Sequence, residues 1–199
     1  MIERALQRPD RNISFTKAVI AAGSNLSHQD HISESIVSQA ITAVASLTGS
    51  EPLVSRFYRT LAFPAGSGPD FVNAAFAVDW TGSPEDLLAL LHRVETDAGR
   101  TRTNRWEARV LDLDLVALGD CVRPDAATQT AWRTMPLDQA AACAPERLIL
   151  PHPRLQERGF VLVPMADIAP GWQHPLTGQT VAGMLAALPE EELVEIRPI

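Results

Sequence analysis

The sequence predicts an α+β chain in which two helices cover one face of an antiparallel sheet, and three observations carry that prediction. Short segments at 18–22, 53–58, 70–80 and 110–118 read as four strands, the first an apolar run, the middle two carrying β-branched and aromatic residues and the last alternating. Two longer segments, 30–47 and 83–99, repeat their apolar residues at spacings of three and four, the mark of one helical face. The two periods alternate along the chain in the order βαββαβ.

Ala18-Val19-Ile20-Ala21-Ala22 is a buried strand that runs into a tight loop at Gly23-Ser24-Asn25. Ile32, Ile36, Ala40, Val44 and Leu47 then form the inward stripe of the first helix. Leu53 to Tyr58 and Asp70 to Trp80 are the next two strands, separated by Pro64-Ala65-Gly66-Ser67-Gly68-Pro69, too rich in glycine and proline for either element. Ser83-Pro84-Glu85-Asp86 starts the second helix: a hydroxyl to cap, a proline where no N–H is needed, and acids at the positive end. Leu87, Leu88, Leu91 and Val94 give its buried face and Gly99 its stop. Val110 to Leu118 alternates, with Leu111, Leu113, Leu115 and Ala117 on one face and Asp112, Asp114 and Val116 on the other. This order is the ferredoxin-like sandwich, whose second sheet face is expected to be free for a site. Residues 120–149 read as an insertion or long loop with room for a short helix, and a further short helix is expected at Val181–Leu188 in a C-terminal extension.

Composition fits one domain over 18–199 behind a polar tail at 1–17. Seventeen bases against twenty-four acids leave a net charge of −7, so a nucleic-acid footprint across a face is not expected and any anion site must be local. Sixteen of those bases are arginine and Lys17 is the sole lysine, which excludes a GxxxxGK[ST] phosphate loop. Cys121 and Cys143 are 22 residues apart with no CxxC, so neither zinc nor a disulfide framework is indicated. With no signal-like or membrane-spanning apolar run, a cytoplasmic chain is expected.

Asp112-Leu113-Asp114 is the sharpest chemical feature. Residues i and i+2 of a strand share a face with Cα atoms about 6.6–6.8 Å apart, so two carboxylates point together. Such a pair can hold Mg²⁺, which takes oxygen ligands at about 2.1 Å, although an isolated pair is more often a solvated strand face. Just upstream, Arg100, Arg102, Arg105 and Arg109 share a loop with Trp106, and guanidinium forks beside a metal-binding pair suit a transferring polyphosphate. A surface arginine cluster paired with acids explains the same spacing about equally well. Pro151-His152-Pro153-Arg154, with Arg158 and Phe160, forms a second cluster in which His152 and Arg158 can donate to phosphate oxygens. Asn73 beside Phe71 could read a heterocycle, or be satisfied by backbone next to a core ring. Glu95 reads by default as solvated or salt-bridged, and spacing leaves His92 undecided.

Together these segments resemble the 6-hydroxymethyl-7,8-dihydropterin pyrophosphokinase family. The resemblance rests on Ala22-Gly23-Ser24-Asn25-Leu26, Phe57-Tyr58-Arg59-Thr60, Pro69-Asp70-Phe71-Val72-Asn73-Ala74-Ala75, Gly99-Arg100, Arg105-Trp106 through Arg109-Val110-Leu111-Asp112-Leu113-Asp114, and Pro151-His152-Pro153 through Arg158-Gly159-Phe160. It implies diphosphate transfer from ATP to a pterin alcohol, with AMP released, in folate synthesis. It further implies two Mg²⁺ ions on Asp112 and Asp114, and Arg100, Arg109, His152 and Arg158 on the phosphates. His92, Glu95 and Trp106 match positions near the nucleotide. Phe71 and Phe160 would sandwich the pterin, Asn73 and the backbone around Thr60 and Phe63 would read its edge, and Gly23 would line the pocket. The Arg100–Trp106 loop would be a lid, and a monomer is expected. This chain departs from the family pattern in Glu107-Ala108, in Leu61 after Thr60, and in the longer 120–149 connection.

Two other classes fit the fold. A non-catalytic nucleotide- or pterin-binding regulatory module would have no need of the aspartate pair beside the arginines. An RNA-reading domain of the same βαββαβ order would want aromatics and bases on the fourth strand, where this chain has Asp112 and Asp114.

Overall fold

The register of a single central strand organises the computed structural model, which describes residues 15–25, 30–61, 68–99 and 110–199. The strands are β1 (Thr16–Ser24), β2 (Leu53–Val54), β3 (Tyr58–Thr60), β4 (Phe71–Trp80), β5 (Asp112–Leu118) and β6 (Arg197–Pro198). The helices are α1 (Asp30–Thr48), α2 (Pro84–Asp97), α3 (Ala126–Thr134), α4 (Leu137–Ala142), α5 (Gly159–Ile168), α6 (Val181–Ala186) and α7 (Glu190–Leu193). The sheet runs β5-β1-β4-β3-β6, with β2 also on β4, and every pairing is antiparallel. The four expected strands are thus arranged as in a ferredoxin-like sandwich, although the second is broken into β2 and β3. The first begins at Thr16, inside the segment read as tail, and runs through the expected loop at Gly23 and Ser24.

Alternation along each strand builds two cores. Ala18, Ile20 and Ala22, with Ala74, Phe76 and Val78 and with Leu111, Leu113 and Leu115, face α1 and α2. Those helices bring Val37, Ala40, Ile41, Val44, Leu87, Leu90, Leu91 and Val94 to the period-2 face, while Ile32 and Leu47, the two ends of the stripe expected on α1, are exposed. Ser83 caps α2 as expected: its Oγ accepts the Asp86 N–H at 3.0 Å and donates to the Asp86 carboxylate at 2.6 Å.

The expectation of a free second sheet face is corrected. Val19, Ala75, Ala77, Val116 and Ala117 on that face are buried under Leu155, Val161, Leu162 and Met165 of the α5 region and Val181 and Met184 of α6. Only the end of the face carrying Asp112, Asp114, Gly23, Phe71 and Asn73 is left for a site. A second correction concerns Ala117, expected among the leucines. Val19 pairs with Ala117 but Ile20 with Leu115, so Val116 is an extra residue, a β-bulge. Beyond it the alternation slips, which turns Ala117 into the second core and Leu118 back to the first.

Segment 120–149 contains α3 and α4, and the helix expected at Val181–Leu188 ends at Ala186. Periodicity did not announce α5 or β6. The sheet ends in short, occupied edges. The His152 N–H donates to the Val116 carbonyl at 2.8 Å outside β5, and β6 pairs its two residues with Arg59 and Tyr58. Among the described residues no helix is long and apolar enough to cross a membrane.

Both ends of α5 are tied to the sheet. At its C-terminal end the Asp167 carboxylate accepts the Tyr58 hydroxyl at 2.7 Å and both Nε and Nη2 of Arg56, at 3.1 and 2.7 Å. This charge-assisted set lowers the Asp167 pKa, chiefly through Arg56. Burial first, and then the bond to Asp167, push the Tyr58 phenol up to about 12. A raised phenol pKa means that the fold gains from the neutral hydroxyl below about pH 10 and loses that contribution as pH climbs from about 10 to 12. Tyr58 is the chain's sole tyrosine, so tyrosinate absorbance near 295 nm should titrate near pH 12, and Asp167→Asn should move the midpoint part of the way down toward about 10. A wild-type midpoint at 10 in the folded protein would contradict the network.

Candidate active site

Pairing across the sheet aligns the site. Gly23 on β1 lies opposite Asp112 on β5 and opposite Asn73 on β4, and Asn73 in turn pairs with Tyr58 on β3. Paired residues point to the same face, so Asp112, Gly23 and Asn73 form one transverse row and Asp114 and Ala21 the next. With strands about 4.8 Å apart, the two outer side chains of the first row stand about 10 Å apart over a floor with no side chain.

That floor requires glycine for lack of space. A Cβ on Gly23 would lie 2.7 Å from Oδ1 of Asn73 and 4.0 Å from the Phe71 ring. Asn73 is held from the other side, its Nδ2 donating to Oγ1 of the buried Thr60 at 2.7 Å. The amide orientation follows from that bond and turns Oδ1 into the row. Phe71, two residues back on β4, is half-buried beside it. The Asn25 side chain donates to the Pro69 carbonyl at 3.4 Å and ties the end of β1 to the approach to β4.

Behind the aspartates, Glu95 corrects the reading of a solvated side chain: it is 2% exposed, and its Oε1 accepts the Leu113 N–H at 2.8 Å. The acceptor holds the residue between the two aspartates, so Glu95 supports β5 from within the helix-side core. His92, three residues earlier on α2, is exposed, and its carbonyl accepts the Thr96 hydroxyl.

In front of the aspartates stands the N-terminus of α5. Arg158 occupies its cap position and donates through Nη1 to Oδ2 of Asp114 at 3.2 Å, with the two side chains 32% and 37% exposed. The Arg158 guanidinium also lies 5.6 Å from the centre of the Phe160 ring, a cation–π contact, and Phe160 is exposed. His152 lies alongside. Its Nδ1 accepts the Arg154 N–H at 3.2 Å, which assigns the proton of the neutral ring to Nε2 and leaves that N–H as a donor. Burial, reinforced by the Arg158 charge and opposed by Asp112, pulls the imidazole down to about 3.

Asp112, Asp114, Gly23, Asn73, Thr60, Phe71, His152, Arg158 and Phe160 therefore gather at one end of one sheet face, with Glu95 beneath. Arg100, Trp106, Arg109 and Phe63 lie outside the described residues. Sequence reasoning gave no role to Gln129 or Arg154, which tie the His152 loop to α3 and its end, because the contacts join segments far apart in sequence. No group of three or more His, Cys, Asp or Glu side chains able to hold a metal occurs among the described residues. The carboxylate pair is nonetheless an all-oxygen donor set, suited to a hard cation that takes its remaining ligands from water and phosphate.

Comparison with known proteins decides the family. Residues 19–170 match the model of 7,8-dihydro-6-hydroxymethylpterin-pyrophosphokinase (HPPK). The chain belongs to the HPPK family. It is 37% identical to the Synechocystis 2-amino-4-hydroxy-6-hydroxymethyldihydropteridine pyrophosphokinase over 73% of its own length and 65% of that protein. To the Methylorubrum extorquens and Pseudomonas aeruginosa proteins of the same name it is 32% and 34% identical, covering 94% and 93% of them. Among solved structures, wild-type Plasmodium falciparum HPPK-DHPS with pteroate aligns with a TM-score of 0.60 at 10% identity, over 87% of this chain and 42% of that one, a likeness of fold.

Two measurements test the geometry of this candidate site. Gly23→Ala forces Asn73 aside and should cost about 1–3 kcal/mol in urea unfolding, whereas an unchanged midpoint would show that the row has slack. His152 should stay neutral throughout pH 5–8 in histidine NMR, titrating near 3. Because the unfolded ring takes its proton near 6.5 and the folded ring only near 3, His152 should erode stability as pH falls through that window and leave it unchanged above.

Proposed function

We propose that this HPPK-family chain transfers a diphosphate from ATP to the hydroxymethyl group of 6-hydroxymethyl-7,8-dihydropterin and releases AMP. The observation that carries the reading is the pair Asp112 and Asp114, faced by Arg158 and flanked across the Gly23 floor by Asn73. Carboxylates for a cation, donors for phosphate, and a flat slot with an amide at its edge then adjoin one another. The slot suits a planar heterocycle: Phe71 and Phe160 supply ring faces, Gly23 supplies the room, and Oδ1 of Asn73 accepts from a ring N–H.

Asp112 and Asp114 would hold Mg²⁺, two ions in this reading, which neutralises triphosphate charge when bound. Glu95 fixes the Leu113 N–H and so keeps both carboxylates on the same face. In the free chain Arg158 is occupied by Asp114; with nucleotide bound, its guanidinium would turn to a phosphate oxygen, leaving Asp114 to act with Asp112 as a carboxylate ligand. The Nε2–H of neutral His152 donates to a second phosphate oxygen. In the transfer, the pterin hydroxymethyl oxygen bonds to the β-phosphorus, the bond from that phosphorus to the α,β-bridging oxygen breaks, and the hydroxyl proton leaves to solvent. Arg100, Arg109, Trp106, His92, Thr60 and Phe63 complete the proposed contacts, and a cytoplasmic monomer belongs to the same reading.

Incubation with Mg-ATP and the pterin alcohol, followed by nucleotide separation, tests this directly. AMP should form only when the pterin is present, whereas ADP would mean an ordinary kinase and no turnover would favour a binding module. Asp112→Asn and Asp114→Asn should each lower kcat by at least about 100-fold at saturating Mg²⁺; unchanged turnover would remove the carboxylates from the mechanism.

A further inference from the structure

Between β5 and the His152 loop lies segment 120–149, which carries α3 and α4 and packs against that loop. Arg123, at its start, exchanges both backbone hydrogen bonds with Leu150, N–H to O at 2.9 Å and the reverse at 3.1 Å. Gln129, on α3, is fully buried and donates through Nε2 to the Pro151 carbonyl at 3.2 Å. Arg154, with its side chain 12% exposed, reaches back and donates through Nη1 to the carbonyl of Met135, at the end of α3, at 2.8 Å. Its second nitrogen pairs with Glu157. Asp125 caps α3 by accepting the Thr128 N–H at 2.9 Å, so the helix that presents Gln129 is itself anchored.

Three contacts thus fall on Leu150, Pro151 and Arg154, on both sides of His152. The His152 ring depends on that backbone, because the Arg154 N–H bonds its Nδ1 and thereby assigns the proton to Nε2. We propose that Gln129 and Arg154 are positioning residues: through the 123–135 segment they hold the His152 loop so that the imidazole stays a single neutral tautomer with its Nε2–H directed at nucleotide phosphate. The inference rests on the reading of His152 as a phosphate donor. Neither residue touches substrate; each acts on the loop that does. Gln129→Leu is the cleaner probe because it removes the donor with no change of charge and little change of volume.

The test uses the full chain with ¹⁵N-labelled histidine and four variants: Gln129→Leu, Arg154→Met, Arg154→Lys and His152→Ala. Imidazole ¹⁵N shifts report the tautomer, steady-state assays report KM for Mg-ATP and kcat separately, and thermal unfolding tracks stability. Gln129→Leu and Arg154→Met should convert His152 from one tautomer to a mixture and raise KM for Mg-ATP by about three- to tenfold with kcat within twofold, a loss of binding shared by ground and transition states. Arg154→Lys should restore both readouts to within twofold of wild type. Lower stability with tautomer and KM unmoved would reduce Gln129 and Arg154 to packing and overturn the proposal. If His152→Ala raises KM while neither Gln129→Leu nor Arg154→Met does, the positioning role alone fails. If His152→Ala itself leaves KM unchanged, the phosphate reading of His152 fails and takes the proposal with it.

Discussion

The antiparallel pairing of β1 with both β4 and β5 is the constraint on which the site depends. It brings residues from three distant stretches of sequence, Asp112, Gly23 and Asn73, into one row without any long-range side-chain contact having to do so. A slip of one residue in either pairing would exchange the faces, sending the carboxylates toward α2 and the leucines toward the site. The register is in turn favoured by burial, because it places Ala18, Ile20 and Ala22 in the helix-side core.

The site is assembled from two sources of rigidity. Its floor belongs to the sheet, and its front wall to the start of α5, a helix fastened by Arg158 to Asp114 at one end and by Asp167 to Tyr58 and Arg56 at the other. The lower half of the same face is closed by α5 and α6, so the cleft is the remainder of a partly covered sheet. The bulge at Val116 contributes here: it ends the row of outward carboxylates and begins the apolar floor on which α5 rests.

Much of this was legible in the sequence, for identifiable reasons. α1 and α2 each pack against the sheet on one face, which leaves a helical period, whereas β4 is buried on both faces and is marked by its β-branched and aromatic residues; Asp112-Leu113-Asp114 announces itself because i and i+2 converge in any strand. The rest depends on tertiary structure. Helix α5 reads Gly-Phe-Val-Leu-Val-Pro-Met-Ala-Asp-Ile, apolar almost all round with a proline inside, so neither a stripe nor a propensity signal marks it. β6 is two residues long and includes a proline. Glu95 looked like a surface acid on a helix because its acceptor role exists only when β5 offers the Leu113 N–H, and the bulge at Val116 leaves a sequence that still alternates.

The short, occupied margins of the sheet have a consequence for the chain in a crowded solution. A long bare strand edge invites another extended polypeptide to zip onto it. Here the Val116 carbonyl, midway along the outer side of β5, is already taken by the His152 N–H. The opposite side is finished by two-residue strands, one of them containing Pro198, which has no N–H to donate. The loop that carries the imidazole thus also interrupts the ladder that a misfolded neighbour would need, and the extension beyond the six-element sandwich protects its open side from fibre-like growth.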